Sequence, residues 1–140
     1  MKRLLAALAL SLPTALVGAA DSSGVTFIGH EQVASGGTLV TAPNLSVTVA
    51  HRTGPGMVEV HDKETDTFYV LDGAATIVTG GTMLGGSVTG PGQQRGSDIA
   101  GGETRRLAKG DVMVIPAGVP HWFKEVPASI DYYVVTVIAP

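Results

Sequence analysis

Cysteine is missing from all 140 residues, which excludes disulfide scaffolds, thiol nucleophiles and cysteine-ligated zinc. Any metal must therefore sit on histidines and carboxylates. Charge is sparse, with 15% of residues charged, and basic residues gather only as the pairs Lys2-Arg3 and Arg105-Arg106. Nine Lys and Arg stand against twelve Asp and Glu, a net charge of −3. Such a surface offers nucleic acid no basic face. No Gly-x-Ser-x-Gly elbow occurs, so a serine hydrolase has no support. The pairs Gly80-Gly81 and Gly85-Gly86 lack the Lys-Ser/Thr of a phosphate loop and do not open a helix. Long apolar runs are missing too. The stretch Leu4 to Leu12 falls short of the roughly 20 residues a membrane-spanning helix needs. What is present is a 44% hydrophobic fraction, too high for a disordered chain. Nineteen glycines and eight prolines predict many tight turns and few helices.

The N-terminus reads as a targeting segment. Lys2-Arg3 precede the apolar run, then comes Pro13, then small residues ending Val17-Gly18-Ala19-Ala20. That order of charged, apolar and small residues is the pattern of a secretory signal. Cleavage after Ala20 or Ala19 is expected, leaving a soluble periplasmic or secreted protein without a membrane segment. Loss of Lys2 and Arg3 leaves seven basic and twelve acidic residues, a net charge of −5. Residues 1–20 are thus the expected signal peptide and residues 21–140 one domain.

From Val25 onward the hydrophobic period is two. Leu45 to His51, Met57 to His61 and Ser87 to Thr89 alternate, while Thr67 to Leu71, Ala75 to Thr79, Asp111 to Ile115 and Tyr132 to Ile138 are β-branched or aromatic runs. Gly54-Pro-Gly56, Asp72-Gly73, Gly80-Gly81, Lys109-Gly-Asp111 and Pro116-Ala-Gly118 punctuate them. The pattern predicts an all-β single domain, a sandwich or a jelly-roll barrel. Residues 80–102, rich in Gly, Ser, Thr and Gln, read as a long loop or a weakly paired hairpin.

Chemistry in this chain centres on His51, His61 and His121; His30 has no motif around it and reads as surface. Strand alternation puts Met57, Glu59 and His61 on one face of Met57–His61, and Val58 and Val60 on the other. An isolated strand of this kind would turn its polar face to solvent. Two features point the other way. Asp66 follows His61 by five residues and opens the next apolar run. Downstream, Gly110-Asp-Val-Met-Val-Ile-Pro116-Ala-Gly118-Val-Pro-His121 ends a strand in a rigid turn that presents a histidine.

These stretches resemble the two motifs of the cupin superfamily. The first motif frame, about 54–73, is filled by Glu59-Val-His61, Asp66 and Gly73 with its spacing intact; the second, about 110–125, by Gly110, Pro116, Gly118 and His121. The second motif ends in Glu125 where the family has Asn, and the first carries Glu59 and Asp66 where the family has His and Glu. The resemblance implies a cupin-type jelly roll and one divalent metal (Fe, Mn, Ni or Zn) on His61, His121, Asp66 and Glu59. Two imidazoles with one or two carboxylates suffice for such an ion. Asp66, one methylene shorter than Glu, ligates through a shifted backbone, through water, or not at all. Glu59 is either a ligand or a base, and His51, of matching parity on the preceding strand, is the other residue expected to complete the site or move protons. A small-molecule substrate, oxygenase or isomerase chemistry and a homodimer follow from the same resemblance. The competing expectation is a metal-free cupin that binds a sugar or an organic acid without catalysis. Arg95, Arg105 and Arg106 are candidates for holding an anionic ligand, and Glu64 is a possible stand-in for Asp66.

Overall fold

The computed structural model describes residues 24–140; the expected signal segment, residues 1–20, lies outside them. One short helix, α1 (His30–Ser35), precedes twelve strands: β1 (Gly37–Ala42), β2 (Leu45–Arg52), β3 (Val58–His61), β4 (Glu64–Thr79), β5 (Thr82–Leu84), β6 (Ser87–Gly90), β7 (Gln93–Gly96), β8 (Asp98–Ala100), β9 (Glu103–Ala108), β10 (Val112–Ile115), β11 (His121–Glu125) and β12 (Ile130–Ile138). All pairings are antiparallel, as expected of a jelly roll.

Two layers share one strand. The N-terminal half of β4 lies between β12 and β10, and β2 and β1 extend that layer beyond β12. Its C-terminal half lies between β9 and β11, and β3, β7 and β6 extend the second layer beyond β11. Asp72-Gly73, which reads in the sequence as a turn between two strands, is instead a bend inside one strand of 16 residues. Gly73 permits it: its φ is +76°, and a Cβ there would stand 2.1 Å from the Ser129 carbonyl oxygen. Both the backbone sign and the space demand glycine at the last position of the first motif.

The core fills the space between the layers. Phe68, Val70, Ile115, Ile130 and Tyr132 from the first layer meet Ala75, Ile77, Leu107 and Phe123 from the second. Alternation along each strand accounts for this set, since Phe68 and Val70 point inward while Tyr69 between them is 45% exposed. Residues 80–102 form two short ribbons, β6–β7 and β5–β8. The β5–β8 ribbon covers the outer side of the second layer: Met83 fills the space a side chain on Gly96 would need, and Ile99 and Val78 crowd Gly102. Val58 and Val60 are buried, yet they stand apart from the main core cluster. The polar face of β3 is therefore the one that points between the layers, the reverse of the orientation an isolated strand would take.

Candidate metal centre

Register places the site. β3 runs between β11 and β7, so that His121 pairs with Glu59 and Glu59 pairs with Arg95. His61, two residues along on the same face, pairs with Gln93. Cross-strand partners share a face, and one row of three strands thus carries an imidazole, a carboxylate and a guanidinium. The two motifs are tied by backbone as well: the Gly118 amide donates to the His61 carbonyl oxygen at 2.7 Å. Gly118, at φ +78°, turns the chain to make that bond.

Glu59, His61 and His121 bring one ligand atom each within 4.8 Å of one another. His61 Nε2 lies 3.5 Å from Glu59 Oε2, and His121 Nε2 lies 3.7 Å from the same oxygen. The imidazole rings are 5.1 Å apart and buried. Each ring is fixed from behind through Nδ1. His61 Nδ1 lies 2.5 Å from Gln93 Oε1, and His121 Nδ1 lies 3.1 Å from the Val119 carbonyl oxygen. Both partners are carbonyl oxygens, which accept only, so both Nδ1 atoms donate and both Nε2 atoms are the ones aimed at Glu59. Such outer contacts orient metal-binding histidines.

Electrostatics favours a charged carboxylate here. Burial pushes Glu59 up, but the hydrogen-bonding influence of His121 and His61 and the charge of Arg95 outweigh it and hold the carboxyl well below its usual range. Arg95 Nε is 3.5 Å from Glu59 Oε1, on the far side from the imidazoles. Glu59 in turn raises the His61 pKa above 6.5; burial opposes this, and Gln93 and the charge of Asp66 support it. Two neutral imidazoles and one carboxylate, all facing a common point, fit a divalent ion such as zinc or iron.

The other predicted residues are distributed differently. Asp66 is buried beside the group: Thr136 donates to its Oδ1 at 2.6 Å, and its Oδ2 lies 3.7 Å from His61 Nε2. It is close to one imidazole but outside the converging set. His51 lies on β2, exposed, with Nδ1 2.6 Å from Asp131 Oδ1; the structure does not bring it to the three converging residues. Glu125 is exposed and accepts a bond from Thr76 at 3.3 Å. Arg105 pairs with Glu103. His30 is exposed at the start of α1. Of Trp122 and Phe123, Phe123 joins the core and Trp122 donates to the Gly56 carbonyl oxygen at 2.8 Å. Gln93 is the functional residue that sequence reasoning missed. Its signal was the alternation Gln93–Arg95 just after the Gly90-Pro91-Gly92 turn, which matches the parity of Glu59–His61.

Aromatic side chains close the floor of the site. Phe68 meets His121 edge-on at 6.4 Å, and Phe123 and Tyr132 pack behind Phe68 at 5.7 and 5.3 Å. Arg52 lies 4.9 Å over the far side of this stack, on Phe123. A surface cavity of about 490 Å³, lined by Thr79, Glu103, Val112 and Val114 among others, holds none of the three converging side chains.

No curated protein sequence matches the chain. Among solved structures, the EutQ protein of Clostridium difficile superposes with a TM-score of 0.58 at 19% identity, covering 91% of this chain and 90% of that one. KdgF from a Halomonas species gives 0.53 at 18% identity, covering 75% of this chain and 80% of its own. The Cnp3 cupin domain of Schizosaccharomyces pombe gives 0.53 at 15%, covering 74% and 60%. At these identities the likeness is one of fold. The family described as cupin matches residues 43–134, a span that holds both motifs, both histidines and the shared strand β4, and the chain belongs to the cupin family.

Proposed function

We propose that the protein is an exported cupin that holds one divalent metal ion (Fe, Mn, Ni or Zn) on Glu59, His61 and His121 and acts on a small polar metabolite. The observation that carries this reading is the convergence of two Nε2 atoms and one carboxylate, each backed by its own contact. When bound, the ion supplies Lewis acidity, or holds a chelating substrate for reaction with dioxygen. The side chains have separate tasks. His61 and His121 hold the ion, and Glu59 neutralises part of its charge through Oε2 while Arg95 keeps Oε1. Asp66, whose Oδ1 is held by Thr136, has Oδ2 beside His61 as a proton acceptor. Phe68 and the aromatic stack behind it exclude water from below and restrict the site to a small molecule. Oxygenase or isomerase chemistry is the reaction class this arrangement suits. Export rests on the order of residues in 1–20, with 21–140 as the mature domain.

A homodimer belongs to the same proposal. Tyr69, Val112, Val114 and Val137 are exposed on the outer side of the first layer. The strand register adds Tyr133, Val135, Val47 and Val49 to that face. A charge-poor sheet face of this extent suits a second copy of the same surface.

The test is the metal content of the protein purified without a His tag, beside a His61→Ala/His121→Ala variant. About one equivalent in the parent and none in the variant supports the reading. No metal in either, even after reconstitution with iron, manganese, nickel and zinc, overturns it in favour of a metal-free binder of sugars or organic acids. Sedimentation of Val114→Lys against the parent tests the dimer; equal masses would sink it.

A further inference from the structure

His61 is held by a residue 32 positions away, and that residue is itself held by another. Gln93 stands opposite His61 across the β3–β7 ladder, with Oε1 2.5 Å from Nδ1. An amide alone would not decide the tautomer, because turned by half a rotation it offers the ring its NH₂ group instead of its oxygen. Glu64 decides it. Gln93 Nε2 donates to Glu64 Oε1 at 2.8 Å, and an ionised carboxylate only accepts. The amide nitrogen must therefore face Glu64 and the amide oxygen must face the ring. Nδ1 then carries a proton, and the lone pair of Nε2 is directed to the Glu59 side. The second Glu64 oxygen lies 3.7 Å from Nδ1, beyond hydrogen-bond distance, so Glu64 acts on the ring through Gln93. Gln93 and Glu64 are both only partly exposed, so bulk water competes weakly for these bonds.

We propose that Glu64 and Gln93 form a positioning relay that fixes His61 as an Nε2 metal ligand, an inference that rests on the metal-binding reading above. Neither residue is one of the three whose ligand atoms converge. Their effect passes through the ring: Glu64 orients Gln93, Gln93 orients His61.

The experiment compares zinc affinity, by competition with a chromophoric chelator, in the parent, Gln93→Ala, Glu64→Gln and the double variant. The histidines are labelled with ¹⁵N so that the state of each ring nitrogen is read directly. Gln93→Ala is expected to weaken zinc binding about 10- to 100-fold, the usual cost of losing an outer contact to a ligating histidine. Glu64→Gln is expected to cost about 5-fold, one ordinary hydrogen bond's worth, and to mix the two amide orientations. The double variant should bind zinc no worse than Gln93→Ala, because the relay has already been cut at its second link. Losses that multiply, or a Gln93→Ala variant with parental affinity and an unchanged Nδ1 proton, overturn the proposal. If the parent itself takes up no zinc, the metal reading fails and the relay is judged on the metal-free protein. A slowly exchanging His61 Nδ1 proton in the parent that exchanges faster in both variants then supports the relay, and its absence from the parent overturns it.

Discussion

His61 and His121 present the same atom to the same point, yet the regions that support them are built on opposite principles. His121 leans on Val119, two residues back and just past the turn Pro116–Gly118 that the second motif specifies. Its support is local backbone, and no side-chain substitution removes the accepting oxygen. His61 leans on Gln93 from the strand β7, which opens 32 residues later and is paired through β3 on one side and β6 on the other. Its support is a side chain, replaceable by one mutation. One half of the site is fixed by chain geometry and the other is adjustable.

Removing the ligands themselves should give the largest effects and erase the contrast. His61→Ala and His121→Ala should each weaken zinc binding by more than about 100-fold, beyond the range seen for outer contacts; calorimetric titration of the metal-free protein measures this. If either variant keeps parental affinity, the two imidazoles do not share an ion.

A pH series should report on the His61 side next. His61 has its folded pKa raised by Glu59, so the stability it contributes is complete below its unfolded value near 6.5 and is lost as pH rises through the higher folded value. Glu59 has its folded pKa depressed, so its contribution is present above about 4.5 and is lost as acid protonates it. The metal-free protein should thus be most stable in mild acid and lose Tm on the alkaline side. Metal binding should strengthen over that same alkaline rise, because the ion displaces a proton from His61. In Glu59→Gln both dependences should flatten; thermal scans across pH check it, and an unchanged profile would show that Glu59 does not set the His61 proton.

The smallest effect concerns the local support. Gly118→Ala should cost about 1–2 kcal/mol from the left-handed backbone alone, since no atom lies within 4 Å of the added Cβ. Denaturant melts measure the loss, and zinc affinity should change by less than about fivefold because the Val119 carbonyl stays in place. A larger loss of affinity would mean that the turn positions His121 less rigidly than its backbone bonds imply.

The same contrast explains what could be read from the chain beforehand. Strand alternation and turn residues are local signals, and they sufficed for the all-β architecture; alternation put Glu59 and His61 on one face, while the cupin resemblance was needed to single them out with Asp66 and His121. The fixed spacing around Pro116 and Gly118 is local as well. Gln93 was hidden because its role exists only in the β3–β7 register, which joins residues far apart in sequence. Asp72-Gly73 was misread as a turn because local chemistry cannot tell a hairpin from a bend; the difference lies in Ser129, which comes up against Gly73 only in the folded protein. Parity put His51 on the expected side of its strand, but β2 pairs with β12 and not with β3, and parity carries no information about neighbours.

The shared strand has a consequence for how the molecule is made. β4 reaches its full set of partners only when β12, the last of the described strands, has entered between it and β2. The centre of the first layer is thus made after every other described strand. Until residues 130–138 emerge, β2 and β4 have open edges and the Phe68 side of the core has no Tyr132 to close it. Closure of the first layer must wait for residues 130–138, and with pairings this distant along the chain folding should take milliseconds to seconds. During that interval the nascent chain exposes unpaired strands that a chaperone can recognise.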